Sequence, residues 1–245
     1  MRFFILFTSF MLVTAAHAEN FSPAQEKEIQ NIVRDYLVKN PDVLKEAFKA
    51  LEKQQAEQVG ELQQVALKEH ADLLFNSKNS AVIGNPNGDV TVVEFFDYNC
   101  GYCRAAEADL QKLIAEDPNL RVVLKEYPVL GTGSIEAALI MAQLVNDPKY
   151  IELHHVLLSA KGQADKISTL AAAKKLGLDV AKLEDGIQGD AARKPIEESY
   201  KLANALGING TPGYVIGDAV HVGAASYDVL KQNIANMRKC GKAVC

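Results

Sequence analysis

FFDYNCGYCR, Phe95 to Arg104, joins the end of an apolar, β-prone run to two cysteines two residues apart. The turn cluster NPNGD (Asn85–Asp89) precedes it, so residues 90–96 read as a buried strand. Residues 100–116 read as a helix, and RVVLKE (Arg121–Glu126) as a second strand. Strand, helix and strand in that order predict a βαβ unit with a parallel pair. The cysteines therefore open a helix, where free N–H groups and the helix dipole favour an anion. Cys100 is then the attacking, exposed sulfur. Cys103, one turn inward, is the buried resolving sulfur that releases a mixed disulfide. Structural zinc would need two further ligands, and neither the distant cysteine pair nor the five histidines supply a matching pattern. An inert staple is the other alternative, but structural bridges usually close longer loops. Redox chemistry is the reading this pair supports.

The chain begins MRFFILFTSFMLVTAAHA, with Arg2 as a positive n-region, an apolar run from Phe3 to Val13, and a small-x-small site at Ala16–Ala18. This has the form of a signal peptide cleaved after Ala18, the rival being a retained N-terminal anchor. No later run is long and apolar enough for a bilayer span. The full-chain net charge is −5, without the basic stripe that a nucleic-acid surface needs. Export implies an oxidising compartment where disulfides persist. The remaining cysteines, Cys240 and Cys245, form a second local pair at the other end of the sequence. They read as a structural disulfide pinning the last helix, against a second redox or metal-relay site.

Residues 19–80 are helical in pattern. Ser22, Pro23 and Gln25 form a capping-box signature, with Ile29, Ile32, Val33 and Tyr36 on one face. Asn40-Pro41 ends that helix and starts another, whose stripe runs through Leu44, Phe48 and Leu51 and on to Gln55, Gln58, Leu62 and Val65. The segment has too few large apolar residues for a core of its own. Its stripe must dock, either on the same chain or on another copy, and an arm that self-associates is the expectation. Gly60 and the polar seam argue against a long rigid coiled coil. From Ser134 to about Leu206 the pattern is helical again, with helix starts read at Asp147-Pro148 and Ser168. GTPGYVIGDAVHVG (Gly210–Gly223) reads as a hairpin turning at Gly217-Asp218, and a helix follows from Ser226. His154 and His155 are adjacent and read as surface residues rather than ligands.

VVEFFDYNCGYC, VVLKEYPVLG and GTPGYVIG, in that order with a helical region between the last two, resemble the DsbA family of bacterial envelope thiol–disulfide oxidoreductases. The resemblance implies an α/β thioredoxin-like fold with an inserted helical domain, preceded by an α-helical N-terminal arm. The domain expectation is a signal peptide at 1–18, the arm at 19–80, and a catalytic domain at 85–240 with the insertion at about 134–206. GTP matches the cis-proline loop, so Pro212 should be cis and face the cysteines, with Thr211 and Tyr102 meeting substrate. Glu94 matches the family's buried acid beneath the resolving cysteine, and Lys125 the lysine that partners it.

The Gly-Tyr dipeptide departs from the Pro-His of the strong oxidases. Without a cation between the sulfurs a weaker oxidant is expected. Cys-Gly-Tyr-Cys with Thr before the cis-proline is similar to DsbC-type isomerases. The arm is similar to those of suppressor-of-copper-sensitivity proteins. The expectation is a periplasmic homo-oligomer, a dimer or trimer, that isomerises and also forms disulfides in exported proteins. It needs no cofactor or metal, and a membrane redox partner resets it. A monomeric oxidase and a non-catalytic metal- or surface-binding protein are the alternatives.

Overall fold

Ser22 accepts a hydrogen bond from the Gln25 amide while the Gln25 side chain returns to the Ser22 amide, so the capping box forms ahead of helix α1 (Pro23–Lys39). The computed structural model describes residues 21–245; the leader expected at 1–18 lies outside the described residues. Helix α2 (Pro41–Glu69) follows, and the chain divides into two compact units between Ala56 and Glu57, within this helix. In the first unit α1 buries none of its residues. Phe21, Ile32, Tyr36 and Phe48 are each more than half exposed.

The second unit begins with the end of α2, where Ala66 and Leu67 are buried, and with the short α3 (Ala71–Phe75). Then come β1 (Ala81–Gly84), β2 (Val90–Phe96), α4 (Gly101–Glu116) and β3 (Leu120–Glu126). The helical insertion comprises α5 (Thr132–Met141), α6 (Tyr150–Ser159), α7 (Lys166–Lys175), α8 (Val180–Asp185) and α9 (Asp190–Leu206). It returns to β4 (Gly213–Ile216), β5 (Ala219–Val222) and α10 (Tyr227–Cys240). Helix α7 starts earlier than Ser168. Asp165 is its N-cap, and Ser168 is the reciprocal partner in the capping box.

The sheet order is β1-β3-β2-β4-β5. β2 and β3 are parallel, as a βαβ unit requires, and the other neighbours are antiparallel. β2 is central, which is why VTVVEFF runs almost unbroken in apolar residues. The register pairs Glu94 with Leu124 and Phe95 with Lys125, so each pair shares a face. On one face Val92, Phe96, Val122 and Leu124 pack with Leu110 of α4 and Leu153 of α6. On the other, Val93, Phe95 and Val123 pack with Leu67, Leu74 and Leu206. Burying Phe95 completely contributes about 2–3 kcal/mol. The β4–β5 hairpin turns at Gly217, whose φ of 56° suits glycine. The result is an α/β thioredoxin-like fold with a helical insertion and a helical N-terminal region.

Candidate functional site

The strand-to-helix turn is built by its polar residues. Asp97 is buried, and its carboxylate accepts from the amides of Asn99 (2.7 Å), Val129 (2.8 Å) and Leu130 (3.0 Å). The Cys100 amide bonds back to the Asp97 carbonyl at 3.0 Å. These contacts end β2, start α4 and tie the turn to the segment after β3. Cys100 is the N-cap residue of α4. Its thiol donates to the Thr211 carbonyl at 3.2 Å, and the Thr211–Pro212 peptide is cis. The exposed sulfur expected at Cys100 needs correction, because this residue is only 5% exposed. The loop carrying Thr211 arrives from far along the chain and covers it.

Cys103 is more deeply enclosed, 1% exposed. Burial pushes its thiol well above the ordinary range, and the nearby Glu94 charge pushes it further. Both thiols are free. Glu94 faces the same side of the sheet, fully enclosed among Val92, Phe96 and Leu124, and accepts from the Tyr214 hydroxyl at 3.1 Å. Burial raises its carboxyl to about 8, with the Glu107 charge adding to the effect and the Tyr214 hydrogen bond opposing it. A carboxyl of that kind, next to a buried thiol, is chemically able to take and return a proton.

Lys125 does not join this group. Neighbouring residues of a strand point to opposite faces, and Lys125 shares its face with Phe95 rather than Glu94. Its ammonium donates to the Leu73 carbonyl (2.8 Å) and the Ser80 hydroxyl (2.7 Å). Burial lowers it to about 8. The partnership expected between Glu94 and Lys125 is thus replaced by a separation across the sheet. The residue that β3 presents on the Glu94 face is Glu126. It accepts from Tyr98 (3.1 Å) and Tyr150 (3.0 Å), and burial raises its carboxyl to about 8.

His154, expected at the surface, is fully buried between these tyrosines, with Nδ1 3.0 Å from the Tyr98 hydroxyl. Its Nε2 sits 3.8 Å from Glu107, which also meets His155 at 2.5 Å. Burial works against a charge on Glu107, but the two histidines hold its carboxyl below the usual range. Burial holds the His154 imidazole below its usual range. Helix α6 of the insertion is therefore joined to α4 through the partly buried Glu107–His155 contact.

Tyr102 stands 71% exposed. It borders a shallow groove of about 290 Å³ with Ala105, Ala106, Asp109, Ala225 and Ser226. Cys240 and Cys245 are joined to each other at the end of α10. Among the described residues no cluster of three or more His, Cys, Asp or Glu side chains is arranged to hold a metal. Sequence reasoning missed Asp97, Asn99, Arg104 and Glu126. The available signal was the polar DYN between strand and helix, which a simple turn does not require.

The DSBA-like thioredoxin domain model matches residues 91–235, more than half of the chain. The chain belongs to this family. The model of the copper resistance protein ScsC N-terminal domain matches residues 25–58. Outside the DSBA-like core, similarity thus continues into the N-terminal helices. A thioredoxin-like oxidoreductase from Silicibacter pomeroyi DSS-3 is 42% identical, with a TM-score of 0.67 over 69% of this chain and 98% of that one. A linker-deletion mutant of Proteus mirabilis ScsC is 32% identical, with a TM-score of 0.67 over 91% of this chain and 99% of that one. The Na(+)/H(+) antiporter NhaA 1 of Salinispora arenicola is 26% identical over 157 residues. That match takes in 63% of this chain, which spans about a quarter (24%) of the antiporter's length.

Proposed function

We propose that this protein is a thiol:disulfide oxidoreductase of the bacterial periplasm that isomerises disulfides in exported proteins and works as a homo-oligomer. One observation carries the chemistry: a free cysteine pair at the start of α4, with Cys100 against the Thr211–Pro212 loop and Cys103 buried within electrostatic reach of the buried Glu94.

The Cys100 thiolate attacks a substrate disulfide. A new S–S bond forms to Cys100 and the substrate's other sulfur leaves as thiolate. In isomerisation that thiolate, or another on the same substrate, attacks elsewhere and finally expels Cys100, with no net electron transfer. When the substrate stalls, Glu94 takes the Cys103 proton in the fraction of molecules whose carboxyl is ionised, a fraction that grows as pH nears 8, and Cys103 attacks Cys100. The substrate leaves reduced, and the Cys100–Cys103 disulfide holds the two electrons' worth of oxidation. A membrane partner then returns the pair to the dithiol. Thr211 offers backbone to an extended substrate segment, and Tyr102, between the two cysteines in sequence, adds an exposed aromatic face.

The unburied apolar side chains of α1 and early α2, together with the ScsC-like match there, support self-association through this segment. Several cysteine pairs around one client would raise their effective concentration. Periplasmic residence is supported by the leader-like first 18 residues; none of the described helices is long and apolar enough to cross a membrane. The test removes residues 19–56 and spares the end of α2, because Leu67 and Leu74 belong to the second unit's core. The truncated protein should be a monomer that still reduces small disulfides but no longer refolds a scrambled, multiply disulfide-bonded substrate. Unchanged mass and unchanged refolding would refute the reading.

A further inference from the structure

Thr211 covers Cys100 from a loop with little of its own to hold it in place. From Gly207 to Gly213 the chain reads GINGTPG, and its one large apolar side chain is Ile208. Ile208 is buried and fixed at three points. Gly207 ends α9 in the left-handed conformation, with a φ of 69°, so the Ile208 amide turns back to the Ala203 carbonyl at 2.8 Å. The Ile208 side chain lies so close to Gly213 that a Cβ there would stand 2.7 Å from it. The Ile208 carbonyl accepts from the Tyr127 hydroxyl at 3.2 Å. Between Ile208 and Gly213 the chain is a short bridge, and it carries the Thr211 carbonyl that meets the Cys100 thiol.

Tyr127 is itself tied to the strand that leads into the cysteines. Its amide donates to the Phe96 carbonyl at 2.9 Å, and its ring meets Phe95 edge-on at 6.2 Å and Tyr200 at 5.1 Å. Tyr200 in turn donates to the Pro128 carbonyl. Just beyond, Val129 and Leu130 give their amides to Asp97 in the turn before Cys100. Both sides of the Cys100–Thr211 contact are thus referred to one buried side chain. Packing alone would need only its ring. The hydroxyl needs a partner when buried, and the partner it has belongs to the loop over the cysteine.

We propose that Tyr127 is a positioning residue for thiol exchange. Its hydroxyl, acting through Ile208, seats the Thr211 carbonyl over Cys100 and holds the Thr211 backbone in register for an extended polypeptide. Loosening that seat has opposite effects on two kinds of reagent. A small reagent reaches Cys100 more easily once the cover moves. A polypeptide loses the fixed backbone it pairs with. The inference rests on the thiol-exchange reading above.

The test uses the full chain in its dithiol form. Tyr127→Phe removes one oxygen and leaves the ring. Iodoacetamide should alkylate Cys100 about fivefold faster in this variant, the weight of one hydrogen bond. In that step an S–C bond forms, iodide leaves and the thiol proton passes to buffer. Toward scrambled ribonuclease the specificity constant should fall about fivefold, mainly through KM. There the Cys100/Cys103 pair is oxidised to a disulfide, and the substrate disulfide gains two electrons and two protons as thiols. Hydrogen exchange should be faster at the Ile208 amide. Ser199→Ala loses another buried hydroxyl, one bonded to the Pro195 carbonyl within α9, and should change neither rate beyond about twofold. Changes of the same sign toward both reagents, unchanged rates in Tyr127→Phe, or the same pattern in Ser199→Ala would overturn the proposal in favour of a core tyrosine that only packs. A wild-type protein that is alkylated normally but reduces no ribonuclease disulfide would remove the thiol-exchange reading, and this role with it.

Discussion

Replacing Glu94 by glutamine isolates a strongly perturbed carboxyl at the site. Glu94 is raised from its ordinary 4.5 to about 8, chiefly by burial. Between those two values the folded protein keeps a proton that the unfolded chain has released. Stability must therefore fall as pH rises through this window, by about 1.4 kcal/mol per pH unit, and level off above pH 8. By pH 7 the accumulated cost is about 3 kcal/mol. Glutamine has the same shape, keeps an oxygen for the Tyr214 hydroxyl and cannot ionise. The E94Q protein should match the wild type near pH 4 and be more stable by about 3 kcal/mol at pH 7. Glu126 titrates over the same range in both proteins, so it cancels in the difference. The assay is urea unfolding of the reduced proteins from pH 4 to pH 9. A stability difference that does not change with pH would refute the reasoning, because it would mean that Glu94 is not held protonated by burial. On the proposed function E94Q also slows release of the mixed disulfide, since Cys103 loses its proton acceptor.

Other outcomes follow from the same geometry. Cys103→Ser should accumulate mixed disulfides on Cys100, visible on non-reducing gels, whereas Cys100→Ser should show none. Lys125→Met should leave thiol-exchange rates within about twofold of wild type, because the ammonium faces away from Glu94. It should also abolish the rise in stability between about pH 8 and 10.5, where the folded protein has already lost the lysine proton and the unfolded chain has not. Urea titrations at pH 7 and pH 10 would check this. Replacing Cys240 and Cys245 by alanine should cost about 2 kcal/mol, the loop-entropy value for a six-residue ring, with exchange activity retained; thermal melts and a turnover assay decide.

Much of the βαβ core was readable because its signals are local. A near-continuous apolar strand, a cysteine pair at a helix start and a second strand sit within about forty residues, and each is typed by its own residues. β1 was not readable. Ala81–Gly84 is four residues long, has no room to show alternation, and is a strand only because β3 offers it an antiparallel edge. The choice between Lys125 and Glu126 turned on register. Both lie in one strand, and only the pairing of Glu94 with Leu124 decides which of them shares its face. Cys100 is buried against Thr211, and His154 against Tyr98 and Phe96, none of which is near in sequence. Arg104 looks like an ordinary helix-surface cation until the link between α6 and α7 brings the Ala160 and Gly162 carbonyls beside it.

The most direct test of the central claim is the redox state of Cys100 and Cys103 in the living cell, read by acid quenching and thiol-specific mass tagging. An isomerase must meet its substrates with a free Cys100, so the account predicts a pair that is mostly reduced at steady state. A pair found mostly as the disulfide would contradict it and mark the protein as an oxidase.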